Sequence, residues 1–101
     1  LKIFGEACSA ALMERQAQVL GDVARTLEGV DATAAAATWR QAVAVATPAQ
    51  DSPGTIGLEA SGVLYESVEG FVRLNLTDEA RAITEQIKVP SLRERAIALL
   101  K

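Results

Sequence analysis

The sequence predicts an all-α domain of about five helices in antiparallel hairpins, arranged as a short helical-repeat array or an irregular bundle. Three observations predict it. Apolar residues recur at spacings of three and four along much of the chain, which is the pattern of helices that each bury one face. Half of the 101 residues are apolar, yet only four are aromatic. The core is therefore built from Ala, Val, Leu and Ile, and Ala-rich segments with Glu, Arg and Gln favour helix. No stretch alternates apolar and polar residues between hairpin turns. A chain of this length makes a single domain, 1–101, and buries roughly 60–70% of the surface its unfolded form exposes.

The first helix is expected over 4–28. Its buried stripe runs through Phe4, Cys8, Ala11 and Leu12, then Ala17, Leu20, Val23, Ala24 and Leu27. Glu14, Arg15, Gln18, Asp22 and Arg25 mark the opposite face. Gly21 interrupts the pattern at a cost of about 1 kcal/mol relative to Ala and marks a bend or a close helix contact. Gly29 is placed to stop the helix as a C′ glycine.

Asp31 or Thr33 can cap the second helix, which extends to about residue 46. Its start is nearly all Ala, so another backbone can approach closely. Ala36, Trp39 and Val43 face the core, and Pro48 is expected to end the helix. Residues 47–55 hold two prolines, a glycine and an Asp-Ser pair and read as a surface loop between two helical pairs.

The third helix is expected from about 56 or 58 to 74, with a stripe of Ala60, Val63, Leu64, Ser67, Val68, Phe71 and Val72. Gly57, Gly62 and Gly70 weaken it, so packing must hold it. Glu69 and Arg73 stand in the favourable i, i+4 order, and Asn75 can take the left-handed position past its end. Thr77 then reads as an N-cap, with Asp78 and Glu79 in the first turn where the helix dipole favours anions. Ala80, Ile83 and Ile87 form the buried stripe of this fourth helix, Arg81 and Glu85 an exposed pair, Lys88 lies in its last turn, and Pro90 stops it. Ser91 and Glu94 have the spacing of a capping box. Leu92, Ala96, Leu99 and Leu100 give the last helix an apolar face that either folds back onto the bundle or waits for a further element.

A shift of 44 residues superposes Val19-Leu20 on Val63-Leu64, Leu27 on Phe71, Thr33 on Thr77, Ala36 on Ala80, Trp39 on Ile83 and Val43 on Ile87. The chain thus holds two weakly related helix-hairpin units, 17–46 and 61–90, joined by the 47–55 loop, and internal repeats of this length point to α-solenoids. Leu64, Phe71, Ala80 and Ile87, with Pro90, resemble a degenerate tetratricopeptide-type repeat. Asp78-Glu79-Ala80-Arg81-Ala82-Ile83 and Lys88-Val89-Pro90-Ser91-Leu92-Arg93 look like the linked repeats of many bacterial helical-repeat proteins. Val68 stands at the family's small position, Pro90 falls about two residues early, and the unit is 44 residues instead of about 34. The resemblance implies a protein-interaction module with a groove between helices.

The net charge of −3 argues against a phosphate-binding surface, and no nucleic acid partner is expected. The charge is uneven: residues 1–72 carry four basic and nine acidic side chains, and residues 73–101 carry six and four. The basic end is too dilute for a nucleic-acid patch but could orient a head-to-tail contact. No apolar run reaches the ~20 residues of a membrane span. The first residues contain neither a signal-peptide core nor an initiator Met, which fits a trimmed chain or a piece of a longer one. The single Cys8 excludes an internal disulfide and fits a reducing compartment, so a cytoplasmic location is expected.

The absence of histidine removes the commonest general base, the Ser-His-Asp and Cys-His arrangements and most zinc sites. Cys8 has no Lys or Arg close in sequence to stabilise a thiolate and reads as a small buried residue. Glu59, Glu66 and Glu69 could pair for metal or acid–base work, but the Glu-x-x-His of a di-metal bundle is missing, and a solvated face is the simpler reading. Gly54-Thr55-Ile56-Gly57 lacks the Lys and spacing of a phosphate loop and reads as a helix start. No catalytic, metal or cofactor site is expected. The expected function is a non-enzymatic protein-interaction or scaffolding module, binding another protein or itself through the face of Leu92, Ala96, Leu99 and Leu100. Tyr65, Arg73, Arg93, Arg95 and Leu99 are the expected contact residues, Tyr65 because an exposed aromatic is a common hot spot. The alternative is a regulatory domain holding a small apolar ligand near Trp39.

Overall fold

A computed structural model describes the backbone of residues 2–101 and the side chains of residues 12–101. The expected burial of Phe4, Cys8 and Ala11 lies outside the described side chains. The chain forms five α-helices and, among the described residues, no strand: α1 (Lys2–Glu28), α2 (Ala32–Ala49), α3 (Thr55–Arg73), α4 (Thr77–Gln86) and α5 (Pro90–Leu99). The all-α expectation is met. α3 is the hub and packs against each of the other four helices.

Two helix ends follow the sequence closely. Asp31, not Thr33, caps α2, and its carboxylate accepts the Ala34 amide at 3.1 Å, satisfying one of the free donors of the first turn. Asn75 takes a left-handed φ of 63°. The Leu76 amide then donates to the Phe71 carbonyl at 2.8 Å and the Asn75 amide to Val72 at 3.1 Å. This is the paired closure of a Schellman turn.

Other ends differ. Gly29 stops α1 by position, but the turn is closed by the Val30 and Asp31 amides on the Leu27 carbonyl, without a left-handed glycine. Pro48 lies inside α2, which runs on to Ala49. It sits in the last turn, where its missing amide frees only the Ala44 carbonyl, and the residues beyond it are tied into the core. Gln50 is buried; its amide group donates to the Gln86 carbonyl at 2.7 Å and its oxygen accepts from Ser61 and from the Lys88 backbone. The expected 47–55 loop therefore shrinks to residues 50–54. Leu76, not Thr77, is the N-cap of α4, with no side-chain cap bond. Lys88 falls beyond α4 and pairs with Asp51. Pro90 starts α5 instead of only ending α4, with Val89 as N-cap and no Ser91–Glu94 capping box. Proline suits a first helical position because the amide it lacks would have no partner there.

The core centres on Trp39, Leu64, Val68, Phe71 and Ile87, all fully buried. Trp39 on α2 is held between α1 and α3 by two glycines. A Cβ on Gly21 would lie 3.4 Å from the indole, and one on Gly70 would overlap it. The indole N–H donates to Glu28 at 2.9 Å, and the same carboxylate accepts Arg73 at 2.7 and 3.0 Å. Arg73 thus joins α3 to α1 instead of pairing with Glu69, and Arg81 lies nearest Asp78, not Glu85.

The two hairpins stack in the same direction. Glu14 lies beside Glu59 and Glu28 pairs with Arg73, each 45 positions on, so α1 runs parallel to α3. Arg40 pairs with Glu79, and Thr47 bonds Gln86, each 39 positions on, so α2 runs parallel to α4.

Candidate interaction surface

The apolar face expected to be bare on α5 is largely covered. Ala96 is fully buried, and Leu92 and Leu100 pack against the core. Leu99 stays at its rim, 37% exposed, and Ile97 of the same helix is 42% exposed. The open apolar face lies at the other end, on α1. Leu12, Val19 and Val23 are 66%, 55% and 45% exposed. They share one side of the helix, because positions 7 and 11 residues on return to nearly the same angle. Two of them, Leu12 and Val23, were expected in the buried stripe. Ala17, Leu20 and Ala24 of the expected stripe do pack inward, Ala17 and Ala24 fully buried and Leu20 partly, joined by Met13.

Beside this face is a groove of about 610 Å³. Leu12, Val19 and Leu20 of α1 form one wall, and Gln41, Ala44 and Val45 of α2 the other. Arg15 is its only charged lining residue among the described residues. Ala44 is the smallest of the lining residues and leaves room between the α1 and α2 side chains. Such a surface suits another helix laid along it.

The five expected contact residues do not converge. Arg95 of α5 stacks over the Tyr65 ring of α3, 4.9 Å from its centroid, so these two are brought together. Arg73 is engaged by Glu28. Arg93 donates to the Ile87 carbonyl at 2.8 Å, closing the end of α4. Trp39 is fully enclosed, and the four main clefts among the described residues are lined by other side chains. A smaller cleft of about 180 Å³ lies between α2 and α4, crossed by the Arg40–Glu79 pair.

Three carboxylates have shifted protonation. Glu28 is held below the ordinary range, first by the Arg73 hydrogen bond and then by the Trp39 N–H. Arg40 lowers Glu79 in the same way. Glu14 is raised, first by burial and then by the neighbouring Glu59 carboxyl. Its side chain is only 7% exposed, and its Oε1 has no hydrogen-bond partner among the described residues. Glu14 was expected on the solvated face. Among the described residues, no group of three or more Cys, Asp and Glu could hold a metal ion, and no helix is long and apolar enough to cross a membrane.

The signal for the open face was present in the sequence. Leu12, Gln16, Val19 and Val23 are spaced four, three and four apart, which marks a second helical seam beside the buried one. The chain matches no protein-family profile, no curated protein and no solved structure.

Proposed function

We propose that the protein is a non-enzymatic α-helical interaction or scaffolding module that docks another helical protein surface in the α1/α2 groove. The observation that carries this reading is the run of Leu12, Val19 and Val23, open to solvent along one helix face beside an apolar groove. Contiguous exposed apolar surface of this kind marks interaction sites, and a helix in a groove is a recurring docking mode. The groove offers one charge, so its chemistry is burial of apolar surface, with Arg15 and the two glutamines at its rim setting orientation.

A helical-repeat architecture of tetratricopeptide-like type is supported by the stacking of the two hairpins. α1 and α3 run parallel, as do α2 and α4, as the members of successive repeats do. The Tyr65–Arg95 stack, with Leu99 on the same terminal helix, is a secondary contact surface in this reading. The lone Cys8 supports residence in a reducing compartment such as the cytoplasm.

The test is affinity capture from the source cell with the wild-type chain and a Val19→Asp variant as parallel baits, read by quantitative mass spectrometry. Proteins held by the wild type and lost with the variant support the reading. Identical lists from the two baits, together with an unchanged solution mass of the chain itself, would overturn it.

A further inference from the structure

The seam on α1 carries more than an unspecified docking surface. Leu12, Gln16, Val19 and Val23 occupy d, a, d and a positions of a heptad, the pattern of a helix that pairs with another helix. α2 flanks one edge of the seam through Leu20 and Val45. The other edge carries Arg15 and Asp22, seven residues apart and both exposed; Asp22 also pairs with Arg25 within α1, an exposed pair that an intermolecular partner can share.

We propose that the groove is filled by α1 of a second copy of this chain. The two α1 helices run antiparallel about a two-fold axis between Gln16 and Val19, and the two α1/α2 hairpins form a four-helix bundle. This rests on the interaction reading above and names its partner.

Three features select a second copy. The first is an internal template. The positions on α3 that lie 44 residues after the seam are Ile56, Ala60, Val63 and Ser67. Ala60, Val63 and Ser67 are buried, on the helix that the first hairpin packs against. The matching face of α1 is shaped for a helical hairpin, and a second copy supplies one. The second is self-complementarity. In a two-fold contact residue i meets j and j meets i. The antiparallel register sets Leu12 against Val23 of the second copy and Gln16 against its Val19. The third is charge. The same register brings Arg15 opposite Asp22 of the second copy, twice, across the flank of the seam. A parallel pairing would instead set Arg15 and Asp22 against the apolar Leu20 and Leu27. Gln16 is the polar seam residue that specifies register at some cost in affinity.

The experiment is sedimentation equilibrium of the full chain from micromolar to millimolar concentration, with circular dichroism melts of each variant in dilute solution. The wild type is expected to pass from monomer to dimer. Val19→Asp abolishes the dimer with the dilute melt unchanged, and Gln16→Leu tightens it. Arg15→Asp weakens it at low salt by at least roughly fivefold, the size expected for two exposed pairs. Adding Asp22→Arg restores the dimer. A chain that stays monomeric throughout overturns the inference and leaves the capture experiment above to judge the groove. A dimer that survives Val19→Asp but dissociates with Leu99→Asp overturns it in favour of α5. A dimer indifferent to the charge exchange overturns the antiparallel register.

Discussion

Val19 of α1 and Val63 of α3 stand 44 residues apart on parallel helices, yet one is 55% exposed and the other 2%. The local sequence around them is alike: each precedes a Leu, and each sits on an apolar stripe. The difference is what stands beside them. α3 has the first hairpin along that face, whereas α1 has nothing among the described residues. A side chain's burial here is a property of its neighbours, and the unburied stripe on α1 is the surface on which the proposed docking rests.

The comparison breaks most sharply by charge. Val63→Asp puts an unpaired carboxylate into the core and is expected to cost about 4 kcal/mol or to prevent folding. Val19→Asp, in dilute monomer, should change stability by less than about 0.5 kcal/mol. Chemical denaturation of the two variants measures both.

Next in size are Trp39 and Ile83, which the same 44-residue shift relates in sequence. Trp39→Ala should cost about 4 kcal/mol and Ile83→Ala about 3 kcal/mol. Gly70→Ala should cost about 3 kcal/mol through overlap with the indole, with no change in the charge of the molecule. Near-ultraviolet circular dichroism would follow the loss of tryptophan packing directly.

Smaller effects fall on the ties between the hairpins. Glu28→Ala removes the acceptor of the buried Trp39 N–H and should cost about 1–2 kcal/mol. Arg73→Ala loses only the half-exposed ion pair and should cost about 0.5–1 kcal/mol. Because the folded state holds Glu28 below its ordinary value of 4.5, its stabilisation is present above that pH and is lost as pH falls through the lowered value.

One further effect has the opposite sign. Glu14 is held above 4.5 in the folded state, so its charge disfavours folding at neutral pH. That penalty is relieved as pH falls through the raised value. Glu14→Gln should therefore stabilise by about 1 kcal/mol at pH 7 and by progressively less toward pH 4.5. Melting curves of the variant and the wild type across this range would converge if the assignment is right and run parallel if it is wrong.

Much of the fold was legible because it is set within a few residues. The stripes of Ala60–Phe71 and Ala80–Ile87 are spaced for helix and are buried as the spacing requires. Asp31 and Asn75 act through bonds to backbone groups within four residues, so their roles could be read locally. The prolines were harder. Pro48 and Pro90 each carry a definite local constraint, but whether that constraint ends a helix, starts one or is tolerated in a last turn depends on what anchors the next residues. For Pro48 the anchor is Gln50, whose partners Ser61, Gln86 and Lys88 come from two later segments.

The candidate surface was less legible. An apolar residue at helical spacing looks the same whether it meets a core or water. Leu12 and Val23 therefore read as buried, and the α5 face read as open. Arg73 read as a partner of Glu69 and, with Arg93, as a contact residue, because their actual partners Glu28 and Ile87 are chosen by packing and not by sequence spacing.

By itself the sequence determined that the chain is helical, roughly where each helix lies, and that its core would be aliphatic with Trp39 and Phe71 at its centre. Periodicity, propensity and capping act over a few residues, and a reader of the chain can evaluate them. Only the tertiary structure decided which stripe is covered, which ion pairs form and which glycines make room for the indole. Those outcomes depend on contacts between residues far apart in the chain, such as Gly70 with Trp39 and Glu28 with Arg73, and no local pattern encodes which of two similar helix faces receives the neighbour.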